Sequence, residues 1–307
     1  MTILVTGGTG LVGPRLLKRF VEAGIDCRAL VRPGKELPAG VTAVEGDILS
    51  PDSLAAAVEG VSAIVHLAAL FRTSDEDQIW KVNLEGTRNL IAAAQEHAPD
   101  ARFLMASTSN VYDLDTSHPG RETDEVSPTL AYPASKIEAE KELRKSGLNW
   151  GVLRLPFIYG DRDGHLEALP GQVAGMKWHP AQKLSVVHHE DIATAFELAL
   201  TGVMDGRTVN IADESPLTMY EIAEILDYAY EPSAEPLTNP WKRPHGRNPR
   251  SEPRIPTKGA HHLPGGTRGE TLNPRLRAEE LQSRRRRSRT SSPCPRAFAS
   301  VAGRSTP

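Results

Sequence analysis

Short apolar runs alternate with longer stretches of helical periodicity over the first 160 residues of the chain. Apolar runs rich in β-branched residues predict buried strands, and the stretches between them predict amphipathic helices. Such alternation is typical of an α/β fold, in which a doubly wound parallel sheet is covered by helices on both faces. The predicted strands lie near 2–6, 26–31, 41–45, 62–68, 101–107 and 150–155, and the predicted helices at 11–23, 52–59, 76–97 and 130–146.

The pattern changes after residue 160. Segments become shorter through residues 161–239, where helices are predicted at 190–200 and 218–229, and we expect a smaller C-terminal substrate-binding part there. Within it, residues 186–211 are expected to return to the domain formed by residues 1–160. Because open parallel sheets bind ligands at the carboxyl ends of their strands, functional side chains are expected just after the predicted strands.

A glycine-rich turn follows the first predicted strand directly. Gly7 permits a tight turn, Gly10 lets the backbone approach a pyrophosphate, and Gly13 lets the next helix pack closely on the strand. The amides at the start of that helix favour a phosphate, since the helix dipole is positive there. A loop that needs positive φ would show the same letters. With the α/β context, the turn predicts a Rossmann-type dinucleotide site formed by Gly7, Thr9, Gly10, Leu11, Val12 and Gly13.

The ends of the second and third predicted strands bear on the identity of the cofactor. Arg32, with Arg28 assisting, stands where an acidic residue would accept the ribose 2′-hydroxyl of NAD, and an arginine there accommodates a 2′-phosphate. NADP is therefore predicted, with NAD as the alternative. Asp47, followed by Ile48, is placed to hydrogen-bond an adenine edge, although an aspartate that caps a helix at 52–54 would look the same.

Tyr132 and Lys136 lie one turn apart on one face of a predicted helix. In such a pair the ammonium favours the phenolate, so we expect a lowered Tyr132 pKa and a general acid or base for a hydroxyl proton. A partly buried tyrosine beside a solvated lysine has the same spacing. Ser107, Thr108 and Ser109 follow an earlier strand and would place hydroxyls at the carboxyl end of the sheet, where they could hold a substrate carbonyl.

Eight short motifs occur in the order typical of one enzyme family. Through them the sequence resembles the extended short-chain dehydrogenase/reductase family, or NAD-dependent epimerase/dehydratase family, over residues 2 to about 230. The resemblance implies a dinucleotide-dependent enzyme that acts on a small-molecule alcohol, ketone or nucleotide-sugar. The motifs are TGGTGLVG at 6–13, GDI at 46–48, HLAA at 66–69, VNLEGTRNL at 82–90, STSNVY at 107–112, YPASK at 132–136, RLPFIYG at 154–160 and VVHHEDIA at 186–193.

The resemblance also implies roles for single residues. Thr108 would be the catalytic hydroxyl, Tyr132 the general acid or base, and Lys136 a partner of the nicotinamide ribose. Asn83 would steady the helix or the water chain behind the lysine, although an asparagine inside a helix often bonds backbone at a kink. The remaining positions would contact the cofactor: Ser107 beside the catalytic hydroxyl, Leu67, Ala68 and Ala69 on the adenosine side, and Pro156 and Ile158 at the nicotinamide.

Two departures from the family pattern bear on the substrate. Nucleotide-sugar members usually carry asparagine at the position of Phe157, and 4,6-dehydratases carry Asp-Glu at the positions of Ser109 and Asn110. We therefore predict an NAD(P)-dependent oxidoreductase acting on a less polar secondary alcohol or ketone, with a nucleotide-sugar 4-epimerase as the alternative. A second alternative is a non-catalytic dinucleotide-binding protein, or a nucleic-acid binder that uses the run Arg284–Arg287.

Charge is distributed unevenly along the chain. Residues 240–307 hold 16 basic and 4 acidic side chains, a local charge of +12, whereas the whole chain of 307 residues has a formal charge of −3. The same segment is rich in proline and lacks sustained periodicity. We expect a disordered basic tail, and from about residue 242 a frame-shifted or otherwise non-homologous ending, because its apolar surface is too small to offset chain entropy.

Composition bears on location, metal binding and assembly. Two cysteines, Cys27 and Cys294, indicate no disulfide framework, and a strand starting at residue 2 leaves no room for a signal peptide. A cytoplasmic protein without a membrane span is expected. The adjacent residues His188–Asp191 cannot all face one ion, so no metal is expected. A homodimer is expected to form through the helices at 76–97 and 130–146, with part of its face supplied by Ile79, Val82, Leu90, Ile91 and Ala94, although burial against the sheet explains many of the same residues.

Overall fold

A seven-stranded sheet forms the centre of the part of the chain that the structure describes. The computed structural model describes residues 1–112, 118–175, 178–230, 233 and 236–241. The strands are β1 Thr2–Thr6, β2 Asp26–Val31, β3 Val41–Glu45, β4 Ala63–His66, β5 Arg102–Thr108, β6 Asn149–Leu155, β7 Phe157–Tyr159, β8 Lys183–Leu184, β9 Val186–His188, β10 Arg207–Asn210 and β11 Leu217–Thr218. The helices are α1 Gly13–Glu22, α2 Ala55–Val58, α3 Glu76–Trp80, α4 Gly86–His97, α5 Ala131–Lys145, α6 His165–Gly175, α7 His189–Leu200 and α8 Met219–Ile225.

The order of the central sheet is β3-β2-β1-β4-β5-β6-β10, and every neighbouring pair is parallel. The chain passes from β1 to β2 and β3 in one direction and then crosses to β4 on the other side of β1. The carboxyl ends of β1 and β4 therefore flank the switch point at which sheets of this kind bind ligands. The prediction of a Rossmann-type doubly wound α/β fold is confirmed.

Alternate residues of β1 face two separate hydrophobic cores. Ile3 and Val5 belong to a core that also contains apolar residues of α1 and α7, and Leu4 belongs to one that contains residues of α2, α4 and α5. Because both faces of the sheet are covered, its inner strands are apolar throughout and do not alternate with polar positions. That is why the sequence shows continuous apolar runs at these strands.

The helix predicted at 76–97 is not continuous. It consists of α3 and α4 joined by a π-helical turn at Lys81–Glu85, in the middle of which lies the buried Asn83. The helix predicted at 52–59 is a 3-10 turn followed by the short α2. Within the described ranges, no helix has the length and apolar character that crossing a membrane would require.

A third hydrophobic core lies in the C-terminal part, where α6 and α8 contact the short strands β8, β9 and β11. β7 pairs with β9 in parallel, and β10 joins the central sheet beside β6. Pro240 and Trp241 pack on β8, although the sequence analysis placed them in the basic tail at 240–307, just before the ending expected from about residue 242. The Pro240 carbonyl accepts the Lys183 amide over 2.9 Å, and the Lys183 ammonium lies 5.1 Å from the Trp241 ring centroid. The remainder of the predicted tail, with Cys294 and Arg284–Arg287, lies outside the described residues.

The apolar residues expected at a dimer face are mostly used inside the chain. Leu90, Ile91 and Ala94 belong to the core between α4 and the sheet, and Ile79 is buried as well. Their assignment to a dimer face is wrong, because a residue that packs under its own helix cannot also present itself to a second copy. The homodimer itself stays a prediction.

Candidate active site

The glycine-rich turn after β1 leaves no room for side chains at two positions. Gly7 has a φ of +72°, and a Cβ atom there would lie 2.6 Å from the Ala68 amide nitrogen. A Cβ atom on Gly13, the first residue of α1, would overlap the Gly7 carbonyl oxygen. The Gly10 amide closes the turn by donating to the Gly7 carbonyl over 3.0 Å. β1, α1 and the loop after β4 therefore approach each other as closely as their backbones allow.

This turn places the backbone amides at the start of α1 beside the switch point of the sheet. Leu11 and Val12 immediately precede α1, and Thr9 and Leu11 are exposed to solvent. Amides at the amino end of a helix bind anionic groups, because they lack intrahelical acceptors and the helix dipole is positive there. A turn without Cβ atoms at such a helix end fits the pyrophosphate of a dinucleotide.

Gly13→Ala is expected to disrupt this turn. The added methyl group would overlap the Gly7 carbonyl, so the backbone must move, and we expect the free energy of unfolding to fall by about 1–3 kcal/mol. Gly171→Ala is the matched control, since a Cβ atom on Gly171 in α6 meets nothing within 4 Å. Urea unfolding and calorimetric titration with NADPH and NADH measure both effects. A Gly13→Ala protein as stable and as tightly binding as Gly171→Ala would contradict the steric argument.

The two arginines of the second strand have different environments. Arg32 follows β2, is exposed, and lies one strand away from the glycine-rich turn. Arg28 instead donates through Nη1 to the carbonyl oxygens of Ala56, Ala57 and Glu59, over 2.9 to 3.2 Å. Arg28 thus satisfies the carboxyl end of α2, and the expectation that it assists Arg32 is wrong.

Asp47 shapes the turn after β3. Its Oδ1 accepts the Leu49 amide over 2.9 Å, and its own amide donates to Ser53 Oγ over 3.1 Å. The buried Ile48 is held from the other side, where Asn89 of α4 donates to its carbonyl over 2.9 Å. Asp47 therefore closes a turn but does not cap the helix at 52–54, since the cap position of that helix is Ser50 and no side chain caps it. The adenine contact of Asp47 and Ile48 stays a prediction.

The loop after β4, predicted for the adenosine side, runs beside the glycine-rich turn. Leu67 and Ala68 are half-buried and Ala69 is exposed. The Ala68 amide donates to Thr6 Oγ1 over 3.3 Å, and the Leu67 amide donates to the Thr6 carbonyl over 3.1 Å. The end of β1 therefore holds this loop against the predicted cofactor cleft.

A buried histidine connects the ends of β1 and β4 to the helix behind them. Thr6 Oγ1 lies 2.7 Å from His66 Nδ1, and His66 Nε2 lies 2.9 Å from Thr87 Oγ1. Because Thr87 donates its proton to the Asn83 carbonyl, it accepts from Nε2, and Nδ1 must accept from Thr6. Burial, with the charge of Lys136 as a smaller cause, lowers the His66 pKa to about 3. The His66 ring is therefore neutral, and its role is structural, since it links Thr6 at the end of β1 to Thr87 of α4.

Asn83 lies in the π-helical turn and joins two parts of the cleft. Its Oδ1 accepts the Leu70 amide over 2.7 Å, and its Nδ2 donates to the Leu70 carbonyl over 3.0 Å and to Ser135 Oγ over 3.1 Å. Ser135 in turn donates to the Tyr132 carbonyl over 2.8 Å. Asn83 therefore fixes the loop after β4 against the first turn of α5. These contacts fit both roles considered for Asn83. It bonds backbone at a kink in its own helix, and through Ser135 it supports the helix that carries Lys136.

Tyr132 lies in the first turn of α5, and its hydroxyl is hydrogen-bonded to Thr108, the last residue of β5. Thr108 Oγ1 also accepts the Asn110 amide over 3.1 Å, which leaves the Thr108 proton for the tyrosine. The half-exposed ring of Phe71 tilts against Tyr132, with centroids 4.4 Å apart. The structure thus brings together the hydroxyl and the phenol that the sequence singled out.

The ionisation of Tyr132 and Lys136 differs from the expectation. Burial raises the Tyr132 pKa to about 12, and the Thr108 hydrogen bond offsets this only in part. Burial lowers the Lys136 pKa to about 8, opposed by the charge of Glu140. The expected lowering of the tyrosine pKa by the lysine is therefore wrong for this structure, because burial dominates and only the Thr108 hydrogen bond opposes it. Tyr132 is a neutral phenol at pH 7 and can donate a proton.

The hydroxyls on either side of Thr108 have different surroundings. Ser107 Oγ donates to Glu140 Oε1 over 2.5 Å, so its proton is committed to that carboxylate. The expected cofactor contact through the Ser107 hydroxyl is not supported. Ser109 Oγ is buried without a hydrogen-bond partner among the described residues.

Three polar residues beside the site, two of them buried and the third half-buried, were missed by the sequence analysis as functional residues. They are Glu140 on α5, Arg154 on β6 and Tyr112 after β5. One signal was available, because Arg154 is a charged residue inside a strand predicted to be buried, and such a residue needs a partner of opposite charge. The partner, Glu140, is 14 residues away in the chain and could not be identified from spacing.

The positions predicted for the nicotinamide follow β6. Pro156 and Ile158 are partly buried, and Phe157 between them stacks on His165 with ring centroids 4.3 Å apart. His165 Nδ1 lies 2.8 Å from the Ile158 carbonyl. Burial lowers the His165 pKa, and the positive charge of Arg72 lowers it further against the opposing hydrogen bond to Ile158.

The adjacent histidines before α7 point to different partners. His188 Nδ1 accepts the Glu190 amide over 3.2 Å and so caps α7, whereas His189 Nε2 lies 2.8 Å from Asp163 Oδ2. Their ring planes differ by 72°. Within the described ranges, no group of three or more His, Cys, Asp or Glu side chains is placed to hold a metal ion.

Comparison with known proteins identifies the chain as part of a large group of enzymes. It is 32% identical over 248 residues to a 3-beta-hydroxysteroid dehydrogenase of Mycolicibacterium neoaurum. The alignment covers 72% of this chain and 68% of the relative. It is 32% identical over 178 residues to a farnesyl-dihydroquinoline-oxide ketoreductase of Stigmatella aurantiaca, covering 53% of this chain and 52% of the relative.

Solved structures share the same fold. A putative epimerase from Burkholderia cenocepacia superposes with a TM-score of 0.65 at 25% identity, covering 76% of this chain and 84% of that one. MoeE5 in complex with UDP-glucuronic acid and NAD has a TM-score of 0.65 at 24% identity, covering 76% of this chain and 86% of that one. The model of the NAD dependent epimerase/dehydratase family matches residues 3–212. The chain therefore belongs to the NAD dependent epimerase/dehydratase family, within the extended short-chain dehydrogenases/reductases.

Proposed function

We propose that this protein is an NAD(P)-dependent oxidoreductase that interconverts a secondary alcohol and a ketone. The observation that carries this proposal is the hydrogen bond between Thr108 and Tyr132, beside the buried Lys136. A bound nicotinamide would supply or accept the hydride in this reaction. The groups of the chain that would act on the substrate are the hydroxyls of Thr108 and Tyr132. Both would hydrogen-bond to the same substrate oxygen atom.

The ionisation of these groups favours proton donation in the direction of ketone reduction. A carbonyl oxygen placed between Thr108 and Tyr132 would take the Thr108 hydrogen bond over from the tyrosine and accept a second one from the Tyr132 hydroxyl. As the carbonyl carbon gains the hydride, negative charge develops on the oxygen, and Tyr132 transfers its proton there to form the alcohol. Lys136 lies one helical turn away, and its ammonium would stabilise the phenolate that forms once the proton has been transferred. In alcohol oxidation the same phenolate would take the proton back.

We propose an apolar substrate. Phe71 packs on the Tyr132 ring and is half exposed, and Leu130 at the amino end of α5 is strongly exposed. Solvent-exposed apolar surface therefore lies beside the catalytic pair. Two relatives at 32% identity are named for a hydroxysteroid and a farnesylated quinoline oxide, which are both bulky and weakly polar. Apolar cleft walls of this kind bind such molecules through buried area and use a few polar groups for orientation.

A panel assay tests the reaction. The full chain is incubated with NADPH or NADH and steroid, alicyclic and aromatic ketones, and with NADP or NAD and the matching alcohols. UDP- and dTDP-sugars form a second set. Absorbance at the nicotinamide band reports net turnover, and chromatography reports epimers. Turnover of apolar ketones supports the proposal, whereas epimers of nucleotide-sugars without net change in the cofactor would replace it by the 4-epimerase alternative.

We further propose NADP as the preferred cofactor, because Arg32 is exposed at the end of β2 and the strand carries no acidic residue there. Arg32→Glu is expected to weaken NADPH binding about tenfold or more, since a charge-assisted hydrogen bond to phosphate contributes about 1.5–3 kcal/mol. Binding of NADH should be unchanged or stronger. Calorimetric titration of both cofactors measures the change, and Lys145→Glu, which places the same charge on the exposed end of α5, is the control. Tighter binding of NADH than NADPH by the unaltered protein would reverse the assignment.

A further inference from the structure

A buried ionic cluster lies behind the proposed catalytic groups. Its centre is Glu140, whose side chain is fully buried. Glu140 Oε2 accepts Arg154 Nη2 over 2.8 Å and Arg144 Nη2 over 2.6 Å, and Oε1 accepts Arg154 Nε over 3.1 Å and Ser107 Oγ over 2.5 Å. We call these four residues with Tyr112 the Glu140 cluster.

Glu140 is connected to both halves of the proposed catalytic machinery. Along α5 it lies one helical turn after Lys136, so the two side chains share one face of the helix. Across to β5 it binds Ser107, the residue immediately before Thr108. A single carboxylate thereby fixes the strand that carries the catalytic hydroxyl relative to the helix that carries the tyrosine and the lysine.

The cluster extends to the edge of the sheet. Arg154 Nη1 donates to the Tyr112 hydroxyl over 2.8 Å, and its guanidinium lies 5.1 Å from the Tyr112 ring centroid. Tyr112 donates to Asn210 Oδ1 of β10 over 2.8 Å. Arg144 also donates to Thr208 of β10, over 2.9 Å. Glu140 therefore contacts β5 and β6 directly and is linked to β10 through Arg144, which fixes the position of its carboxylate.

Titratable groups face the lysine from two elements. Lys136 is faced by Glu140 from its own helix, which raises its pKa, and by His66 from β4, which is neutral. Burial pushes the Glu140 pKa upward, but the hydrogen bonds and charge of Arg154, with Ser107 and Arg144, hold it below its ordinary value. Glu140 is therefore ionised at neutral pH, and it supplies the negative charge that opposes the desolvation of the lysine.

We propose that Glu140 is a positioning residue that keeps the Lys136 ammonium charged and fixes it relative to Thr108. This inference rests on the proposed function, because it assigns Glu140 its role through the proposed catalytic lysine. The carboxylate would be needed because the lysine is almost completely buried, and a buried ammonium without an opposite charge loses its proton. Glu140 itself does not touch the reacting atoms.

The test is an NMR titration of the full chain labelled with ¹³C at the lysine ε-carbon. The Lys136 resonance is assigned by its absence in Lys136→Met. In the unaltered protein its midpoint is expected at pH about 8. In Glu140→Gln the midpoint should fall below that value, because an uncharged amide no longer opposes desolvation. Glu140→Asp keeps the charge and should restore the midpoint toward that of the unaltered protein.

Glu138→Gln is the matched control. Glu138 lies on the same helix and is exposed, with its carboxylate 2.7 Å from Lys141, so its replacement removes the same charge without touching the cluster. Its Lys136 midpoint should equal that of the unaltered protein. An equal midpoint in Glu140→Gln and Glu138→Gln would overturn the inference, because it would show that the buried carboxylate has no influence on the lysine.

A second variant keeps the test decisive if Glu140→Gln does not fold. Glu140→Gln/Arg154→Met removes both partners of the buried pair and so leaves no unpaired arginine at that position. Its Lys136 midpoint should fall below that of Arg154→Met, which also lacks the arginine but keeps the carboxylate. Equal midpoints in these two variants would again overturn the inference. The titration needs no substrate, so its outcome is separate from the proposed function, which fails if Tyr132→Phe keeps full turnover.

Discussion

Replacing Tyr132 by phenylalanine is expected to lower kcat/KM for ketone reduction by a factor of about 10²–10⁴, the usual contribution of a general acid or base. Phenylalanine keeps the ring that packs against Phe71 and removes the proton donor that Thr108 orients. Cofactor binding should stay nearly unchanged, because the hydroxyl meets the substrate oxygen. Steady-state kinetics on a ketone found in the panel assay, together with calorimetric titration of NADPH, measure both quantities.

Tyr220→Phe is the control for this substitution. Tyr220 is exposed on α8 and lies outside the proposed catalytic groups, so removing its hydroxyl should leave kcat/KM unchanged. If Tyr132→Phe retained the rate of the unaltered enzyme, Tyr132 would not be the proton donor. If it lost cofactor binding and activity together, the hydroxyl would serve mainly to hold the dinucleotide.

Arg154→Met is expected to reduce the free energy of unfolding by about 3–5 kcal/mol, the usual cost of removing one partner of a buried ion pair. Arg154 is almost completely buried and makes three hydrogen bonds to Glu140 and Tyr112. Without it, the Glu140 carboxylate keeps Ser107 and the partly exposed Arg144 as partners and loses its buried counter-charge. Urea denaturation followed by circular dichroism measures the loss.

Arg88→Met provides the comparison for this effect. Arg88 also forms an ion pair, to Glu142 at 3.1 Å, but its side chain is half exposed. Solvent screens such pairs, so the expected loss is about 0–1 kcal/mol. A loss from Arg154→Met no larger than that from Arg88→Met would mean that the Glu140 cluster does not stabilise the fold. The larger loss expected for Arg154→Met follows from the burial of its pair and from its three hydrogen bonds, whereas Arg88 makes a single hydrogen bond to Glu142.

The sequence predicted most of the framework, because it depends on local geometry. Apolar runs such as Thr2–Thr6 become buried strands, and their order gave the doubly wound sheet with its switch point at the glycine-rich turn. Gly7 and Gly13 occupy positions where a Cβ atom would meet backbone, which the turn pattern had indicated. The spacing of Tyr132 and Lys136 was informative for the same reason, since residues four apart on a helix share one face.

Contacts between distant segments decided the rest. The sequence suggested a continuous helix at 76–97, whereas the structure contains a π-helical turn that lets Asn83 reach Leu70 and Ser135. Arg28 appeared to be near the cofactor, but its guanidinium caps α2, which follows it by about 30 residues. A side chain's direction depends on which acceptors the folded chain brings near it, and periodicity carries no information about them.

Ionisation was likewise determined by the tertiary structure. Spacing indicated a tyrosine pKa lowered by Lys136, yet burial raises it to about 12 and lowers that of the lysine to about 8. Desolvation depends on how completely Tyr132 and Lys136 are enclosed by residues from β4, β5 and the loop after β4, and no local pattern records that. The amino-acid sequence by itself determined which groups can react. The folded structure decided their protonation and, through Glu140, the counter-charge of the lysine.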